Sequence, residues 1–457
     1  MTATTNFSAG TTISSTWLNA IDEDIFDDRI NVKLYGAVGD GSTDDTTAFQ
    51  SALTAAAGKE LYVPAGNYLI TSGLSVSNRT RVRGTGPTNS YITYRTSSTS
   101  TNQLFNFDNV DNIHIEDIGL NNSNSSGGKA SSAIVCNGTG GTVSEIKLRR
   151  VYIDGFMAYG VKLALSTLYI ILDECRIMNC SNAVSAGGTG IGNAVAIYLG
   201  TTVNVCHIHK SRISANDTAI LSDTNAKYSV SIENSIFEVN GETGTPTDTI
   251  NLYNCRGVVF KGNYCEANKT GTSTADSFLR LQSCMAVSIV GNFINGSSSG
   301  VGKSKNLIGL SDTCIGVVVE SNFLEDPITK IVYVADGTSL TSLRRNKYTY
   351  ATAALTTYAD IMARMSSSLV ELDVAYQAAV TTGVIASGGN YQGNFTVDGV
   401  DVTKNAAIIA TPLNGGSDFI WSCAAISADT VRVMAYNVKG SNNSFTGTVA
   451  IRVLKDG

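Results

Sequence analysis

The sequence predicts an all-β protein: a right-handed parallel β-helix (a solenoid of stacked coils) with a short N-terminal capping helix and a C-terminal β-sandwich-like domain. Two observations predict this fold class. A unit of about 28 residues recurs along most of the chain, and its apolar columns keep register through nine copies. Composition agrees, because only 15% of the 457 residues are charged, against roughly 25% in an average soluble domain.

Each unit is defined by one anchor position. The anchors lie about 28.5 residues apart on average, within the range of roughly 20–50 residues that is typical of stacked repeats. The positions three before and two after the anchor are apolar in all nine units. A β-sandwich, the alternative, gives no reason for such registered columns. The anchors are Ile118, Val151, Cys175, Ser211, Ser235, Asn263, Asn292, Asn322 and Asn346.

Thiol and amide side chains form further columns. Cys255, Cys284 and Cys314 each stand eight residues before an anchor, which predicts three thiols in a line. The nine cysteines include no CxxC pair, so buried free thiols and folding in a reducing cytoplasm are expected. Stacked Asn side chains can hydrogen-bond along the axis and support tight corners. A second Asn column, five residues after the anchor, comprises Asn216, Asn240 and Asn268.

The stretch "YGAVGDGSTDDTTAFQSAL", residues 35–53, predicts the capping helix. Thr43 is the expected N-cap, with Asp44 and Asp45 in the first turn, where acidic residues favour the helix dipole. A cation site at Asp40, Asp44 and Asp45 is the functional alternative, although the spacing does not match an EF-hand. The apolar face of this helix comprises Ala48, Phe49, Ala52, Leu53 and Ala56.

The segment "NVKLYGAVGDGSTDDTTAFQSAL…ELYVPAGNYLI" resembles the opening of pectate-lyase-like parallel β-helix proteins. It is most similar to the version found in bacteriophage tailspikes and capsular polysaccharide depolymerases. This resemblance implies a homotrimer on the phage tail, made in the host cytoplasm and acting outside the cell, that adheres to the host and cleaves its surface polysaccharide. The motif concerns the first coil of the fold, so it carries over no catalytic residue.

Four segments follow from these patterns. Residues 29–350 form the predicted β-helix, with its helix-capped first part at 29–70. Residues 1–28 are expected to attach the spike to other tail or baseplate proteins, or to form an arm of the first coil. Residues 351–370 predict a short connecting helix, either at a trimer axis or crossing between domains. Residues 371–457 predict a β-rich domain for trimerisation or carbohydrate binding.

Charge and hydropathy exclude several classes of function. The net charge of −6 without a basic stripe argues against a nucleic-acid partner. No secretory signal and no apolar run of about 18 residues are visible, so no membrane span is expected. His207 and His209 straddle Ile208 and face outward together, but no third metal ligand is evident. We therefore predict no metal and no cofactor.

Catalytic candidates must lie on outward positions or loops, because the inward columns are apolar. Glu238 and Glu266 stand three residues after successive anchors, so they are expected one above the other. Stacked carboxylates repel, which a fold selected for stability alone would avoid; a solvated surface pair is the plain alternative. A retaining glycosidase holds its carboxyl groups about 5–5.5 Å apart and an inverting one about 6.5–9.5 Å, and both spacings are reachable here.

Further candidates surround this pair. Tyr264 and Phe293 are predicted to bind sugar, as an outward aromatic column that Phe323 extends; burial against a neighbouring subunit is the alternative. The following loops contribute further acidic residues: Glu242, Asp248 and Asp276, of which Asp248 and Asp276 are additional catalytic candidates. The predicted substrate-binding residues near them are Arg280, Tyr253 and Arg256, with Lys261 on the same coils.

These residues favour a depolymerase that hydrolyses glycosidic bonds with a carboxylate pair. One alternative is a polysaccharide lyase on the same groove, with Tyr253 or Tyr264 as the base and the cations binding a uronate. The other is a non-catalytic receptor-binding spike whose aromatic groove only adsorbs.

Overall fold

The fold is described from a computed structural model of the chain. The structure describes residues 29–95, 102–123, 131–181, 194–241, 247–271, 273, 275–296, 304–325, 330–334, 340–344, 346–349, 375–396, 405–412, 418–427, 430–439 and 441–455, together with 12, 14 and 15. The predicted connecting helix at 351–370, nearly all of the predicted N-terminal segment and Glu242 lie outside these residues.

The body is a right-handed parallel β-helix, as the repeat predicts. Every pairing among its strands is parallel, and each strand pairs with the strand at the same position of the next coil. Each full coil contributes to three sheets, here called sheets 1, 2 and 3 in the order in which a repeat enters them. Because residues at one sequence position stack coil upon coil about 4.8 Å apart, the sequence columns become ladders along the axis.

Sheet 1 comprises Leu74–Ser75, Asn102–Phe107, Ser131–Asn137, Tyr159–Asp173, Val195–His209, Thr218–Ser222, Ile250–Tyr253, Ser277–Gln282, Asn306–Ser311 and Lys330–Val334. Sheet 2 comprises Arg29–Asn31, Glu60–Tyr62, Arg81–Arg83, Asp111–Asn122, Val143–Asp154, the second halves of Tyr159–Asp173 and Val195–His209, then Lys227–Glu233, Cys255–Lys261, Met285–Val290, Ile315–Glu320 and Leu340–Arg344. Sheet 3 comprises Asp40–Asp44, Gly66–Ile70, Ser90–Tyr94, the second halves of Asp111–Asn122 and Val143–Asp154, then Arg176–Met178, Arg212–Ser214, Ile236–Glu238, Tyr264–Glu266, Phe293–Asn295, Phe323–Glu325 and Lys347–Thr349.

Left-handed residues turn the chain between the sheets. The residue before the anchor has a positive φ in eight successive coils, so the bend from sheet 2 to sheet 3 lies one position earlier than the anchor itself. The Asn anchors thus stand next to the left-handed residue and do not adopt that conformation themselves. Glycine occupies the bend where the anchor is Asn263 or Asn292, because it adopts this conformation without strain. The eight are Asp117, Arg150, Glu174, Lys210, Asn234, Gly262, Gly291 and Ser321.

The apolar columns form one continuous core. The positions three before and two after each anchor are buried wherever the structure describes the side chain, from Ile115 and Leu120 to Val319 and Leu324. Burial of such side chains contributes about 1.5–3 kcal/mol each, and repetition along the axis makes this the main stabilising term. The predicted inward columns are therefore confirmed.

Two ladders inside the coils are also confirmed. The amide of Asn263 donates to Asn292 Oδ1 at 3.0 Å, and that of Asn292 donates to Asn322 Oδ1 at 2.9 Å. Each of these side chains is at most 2% exposed, so the ladder satisfies polar groups that water cannot reach. Cys284 contacts the thiols on both sides of it, Cys255 and Cys314. All nine cysteines are free, and eight of them are buried.

The capping helix runs over Thr46–Ala55 and buries Phe49, Ala52 and Leu53. The prediction that Thr43 is its N-cap is wrong. Asp45 takes the N-cap position, and its carboxylate accepts the backbone N–H groups of Val38 and Gly39 at 2.6 and 3.1 Å. Thr43 donates instead to Asp40. A 3-10 turn, Val32–Tyr35, precedes the helix.

The acidic cluster around this helix makes hydrogen bonds within the protein. Backbone N–H groups of Thr43 and Ser42 hold the pKa of Asp40 well below its usual range. Asp44 accepts hydrogen bonds from Thr46 and Thr71. These contacts favour the structural interpretation of the cluster over a cation site.

The C-terminal part forms two antiparallel three-stranded sheets. One contains Ala375–Ile385, Asn443–Lys455 and Asn405–Pro412, and the other contains Asn390–Thr396, Thr430–Asn437 and Phe419–Ser427. This agrees with the predicted β-sandwich-like domain. Among the helices in the described part of the chain, none is long and apolar enough to cross a membrane.

Candidate functional site

Glu238 and Glu266 are partners in register on neighbouring strands of sheet 3. Each carboxylate nevertheless has its own partner. Arg212 Nη2 lies 2.8 Å from Glu238 Oε2, and the hydroxyl of Tyr264 donates to Glu266 Oε2. The pair is thus stacked as predicted. A cation, Arg212, contacts the carboxylate of Glu238, and a phenol, Tyr264, contacts that of Glu266.

An aromatic ladder lies beside the two glutamates. The ring of Tyr264 stacks on Phe293 with centroids 5.1 Å apart and planes 8° apart, and Phe293 stacks on Phe323 at 5.4 Å and 17°. Tyr264 is 39% exposed, and the two phenylalanines are partly exposed. Register forces this stacking, because all three residues directly follow an anchor. Together the rings form a flat apolar strip of the kind that packs against the faces of sugar rings.

Asp248 and Asp276 lie where the chain enters sheet 1, beyond the loops that follow the two glutamates. Both are only 7% exposed. Asp248 accepts a hydrogen bond from the backbone of Ser277 at 2.8 Å and another from Asn251 at 2.9 Å. Burial raises its pKa to about 6, against the opposing effect of Ser277 and Arg280. Its carboxyl group therefore binds a proton more readily than an exposed aspartate, which suits a general acid.

Arg280 extends across a neighbouring glycine. A Cβ on Gly309 would lie 2.2 Å from Ser277 Oγ and 3.1 Å from Arg280 Cδ, so the glycine leaves room for this side chain. The guanidinium donates to the carbonyl of Ala275 and lies 5.9 Å from the ring centre of Tyr333. Its Nε is buried without a hydrogen-bond partner among the described residues. The Arg280 side chain therefore points only partly outward. Alternation along the strand predicted a fully outward side chain.

The nine predicted residues fall into three places. Glu238, Glu266, Tyr264 and Phe293 lie together on sheet 3. Asp248, Asp276 and Arg280 lie together across the corner between sheets 3 and 1. Tyr253 and Arg256 lie at the corner between sheets 1 and 2, where Arg256 extends over the ring of Tyr228 at 5.8 Å. The geometry therefore joins neither of these last two residues to the glutamate pair.

Arg212 contacts the glutamate pair but is not among the residues that the sequence patterns predict. It stands one position after the anchor Ser211, in register with Ile236 and thus in the same column as Tyr264. Side chains at the first and third positions after the anchor point to the same side of the strand, so diagonal neighbours are within reach of a long side chain. Comparison of these two columns could have indicated the Arg212–Glu238 pair.

A separate cavity on sheet 2 contains both outward histidines. It has a volume of about 410 Å³ and is lined by Asp173, His207, His209 and Glu233 among others. His209 Nδ1 lies 3.1 Å from Asp173 Oδ1, an arrangement that orients an imidazole for proton transfer. Within the described residues, no group of three or more His, Cys, Asp or Glu side chains is placed to hold a metal ion.

Comparison with known proteins confirms the resemblance seen in residues 31–70. Residues 29–112 match the family model described as rhamnogalacturonase A/epimerase, pectate lyase-like. The pre-neck appendage protein of Bacillus phage B103 is 26% identical over 231 residues, which cover 45% of this chain and 26% of that protein. The chain thus spans about a quarter of the length of this curated relative.

Two solved structures are reported as similar to this chain. The ORF18 protein of Geobacillus virus E2 matches 95% of this chain and 78% of its own at 15% identity, with a TM-score of 0.51. The Dettilon tailspike protein matches 98% of this chain and 97% of its own at 14% identity, with a TM-score of 0.46.

Proposed function

We propose that this protein is a phage tail spike that binds a bacterial surface polysaccharide, capsule or O-antigen, and cleaves it by glycoside hydrolysis. Glu238 and Glu266 are the catalytic pair in this proposal. The observation that carries it is their register pairing beside the Tyr264–Phe293–Phe323 ladder. The similarity to a Bacillus phage appendage protein supports the location on a virion tail.

The surroundings of the two glutamates suggest their roles. Arg212 places a cation 2.8 Å from Glu238, a setting that suits a nucleophile or a base. Glu266, whose partner is the uncharged hydroxyl of Tyr264, takes the remaining role in this proposal, the transfer of a proton to the leaving oxygen. Strands one coil apart are separated by about 4.8 Å, close to the roughly 5–5.5 Å that a retaining mechanism needs. Asp248 and Asp276 remain secondary candidates across the corner.

The direct test measures reducing ends released from purified capsule or O-antigen. Glu238→Gln and Glu266→Gln should each abolish cleavage while oligomeric state and melting temperature stay unchanged. Glu325→Gln is the matched control, because Glu325 has the same outward position two coils beyond Glu266. Normal digestion by both glutamine variants would exclude this pair, and His209→Gln would then test the histidine cavity on sheet 2.

A lyase mechanism is less well supported. The hydrogen bond to Glu266, with burial, raises the pKa of Tyr264 to about 12. A phenol that abstracts a proton at neutral pH needs a shift in the opposite direction. Ultraviolet absorbance of an unsaturated uronate in the products distinguishes elimination from hydrolysis.

A non-catalytic spike is the second candidate, and one observation favours it. Both glutamates already have partners within the protein, as the side chains of a purely structural surface do. In that case polysaccharide would bind along the aromatic ladder without releasing reducing ends. A binding assay run beside the cleavage assay separates the two functions.

We also propose that the spike is a homotrimer attached to other tail proteins through residues 1–28. An exposed ladder on sheet 2 supports burial between subunits: Tyr228 is 40%, Met285 39% and Ile315 45% exposed, and they stack in register with Arg256. Sedimentation of the purified chain would give three times the monomer mass. A monomer would leave this apolar ladder unexplained and would contradict the proposal.

A further inference from the structure

A basic cavity lies on sheet 2 in the first coils of the β-helix. Its volume is about 600 Å³, within the range of roughly 300–1,000 Å³ that ligand pockets occupy. His114, at its near end, lies four coils, roughly 19 Å, from Glu238 along the axis. The residues that matter at its wall are Arg29, Lys59, Glu60, Arg79, Arg81 and His114.

The wall carries four cations against one carboxylate, although the chain as a whole has a net charge of −6. Three of the cations have partners: Arg29 Nε lies 3.2 Å from Glu60, Arg81 Nε lies 3.6 Å from Glu116, and Lys59 has a polar or charged contact of its own. Arg79 is exposed, and its guanidinium forms no ion pair with the part of the chain that the structure describes. Positive charge is thus left over in a concave site, where the electrostatic potential is focused.

His114 adds a polar group without a partner. Its Nε2 atom is buried and has no hydrogen-bond partner among the described residues. Burial lowers the pKa of His114, and Lys147 and Arg81 lower it further, while Glu116 and Glu145 act in the opposite direction. A negative charge bound in the cavity would oppose this lowering of the pKa of His114.

We propose that this cavity binds an oxyanion, a carboxylate or a phosphate, carried by a sugar. Planar guanidinium groups match the geometry of both oxyanions and bind them through paired hydrogen bonds. A neutral sugar would leave the charge of Arg79 unpaired, and a metal cation would be repelled. The sugar as carrier depends on the proposed polysaccharide-binding function, whereas the binding of an oxyanion does not.

The test uses the whole chain with ¹³C-labelled histidine and NMR. Only three histidines are present, so the signal of His114 can be assigned with a His114→Gln variant. Glucuronate and inorganic phosphate are titrated separately, with glucose as the uncharged control. We expect a saturable shift of the His114 signal with at least one anion and a rise of its pKa on binding, because a nearby negative charge favours the imidazolium.

Arg79→Asn tests the cavity by substitution. Arg79 has a left-handed backbone, with φ 60°, and Asn tolerates this conformation better than most residues. Removal of one charged hydrogen-bond donor should weaken anion binding about tenfold. Lys210→Asn is the control, because Lys210 is likewise an exposed cation with a left-handed backbone, φ 46°.

Three results would overturn the proposal: no saturable shift with either anion, an equal shift with glucose, or unchanged binding in Arg79→Asn. A cavity filled by the chain's own acidic segment "DEDIFDD", which directly precedes Arg29, would give the first of these results. None of the measurements involves cleavage. Failure of the glutamate pair in the depolymerase assay would therefore leave this inference standing, and the reverse also holds.

Discussion

Glu238 and Glu266 face each other in register across two parallel strands, yet they do not share a partner: Arg212 binds the first and the Tyr264 hydroxyl binds the second. Repulsion between stacked carboxylates would destabilise sheet 3 if it were not offset. The flanking cation and phenol offset it locally. Each of the two side chains is consequently held by a partner before any substrate arrives.

Arg212→Gln should lower the kcat of cleavage without unfolding the protein. Glu238 would lose its contact with the guanidinium, a charged hydrogen bond worth about 1.5–3 kcal/mol, so the expected loss is about ten- to hundredfold. Arg176→Gln is the matched control, because Arg176 occupies the same column one coil earlier. An equal loss in both variants would contradict a specific role for Arg212.

Phe293→Ala should weaken binding of polysaccharide fragments more than it destabilises the fold. Phe293 is the central ring of the ladder, stacked on both sides, and its removal breaks the strip into two separate rings. We expect affinity to fall about tenfold, since an aromatic stacking contact is worth about 0.5–1.5 kcal/mol beyond area burial. Isothermal titration with oligosaccharides measures this. Phe293→Tyr, which keeps the ring, should bind normally.

Asn292→Ala should destabilise the β-helix strongly. The Asn292 side chain makes four hydrogen bonds inside the coil stack, donating to Phe260 O and Asn322 Oδ1 and accepting from the backbone and amide of Asn263. Unpaired buried polar groups cost about 1–3 kcal/mol each, so we expect a loss of several kcal/mol in urea unfolding. Asn295→Ala, on the outer side of the same coil, should change stability little.

Asp248 should make stability depend on pH. Its pKa in the folded state, about 6, lies above the ordinary value of 3.8. Its contribution to stability is therefore fully present below about pH 4 and is lost as the pH rises through about 6. Asp248→Asn removes this dependence, so its stability relative to the natural protein should rise between pH 4 and 7, by up to about 3 kcal/mol.

Urea unfolding at several pH values checks this prediction. Asp312→Asn is the control, because Asp312 is exposed. A parallel pH dependence of the natural protein and Asp248→Asn would show that Asp248 does not hold a proton in the folded state.

Gly309→Ala should displace Arg280. The added methyl group would overlap Ser277 Oγ and press on Arg280 Cδ. Overpacking of this kind typically costs about 1–3 kcal/mol, which thermal unfolding would show. Gly140→Ala is the control, because a Cβ there meets nothing within 4 Å. If Arg280 contributes to sugar binding, Gly309→Ala should also weaken oligosaccharide affinity.

Much of the fold could be predicted from sequence because a coiled stack repeats one local pattern. The columns through Ile115, Asn263 and Cys284 are visible in one dimension, since equal spacing from the anchor means vertical neighbours in space. The N-cap of the first helix was predicted wrongly at Thr43 because the choice depends on Asp45 reaching the backbone of Val38 and Gly39. That contact is set by the turn, not by helix propensity.

The sequence by itself determined the period, the inward columns and the vertical pairing of Glu238 with Glu266, because all three follow from counting along the chain. Only the tertiary structure decided the horizontal neighbours: Arg212 beside Glu238, Asp248 across the corner and Arg256 away from both. These relationships depend on where each coil bends between its sheets, and on how far side chains reach around a corner. Spacing along the chain does not encode either quantity.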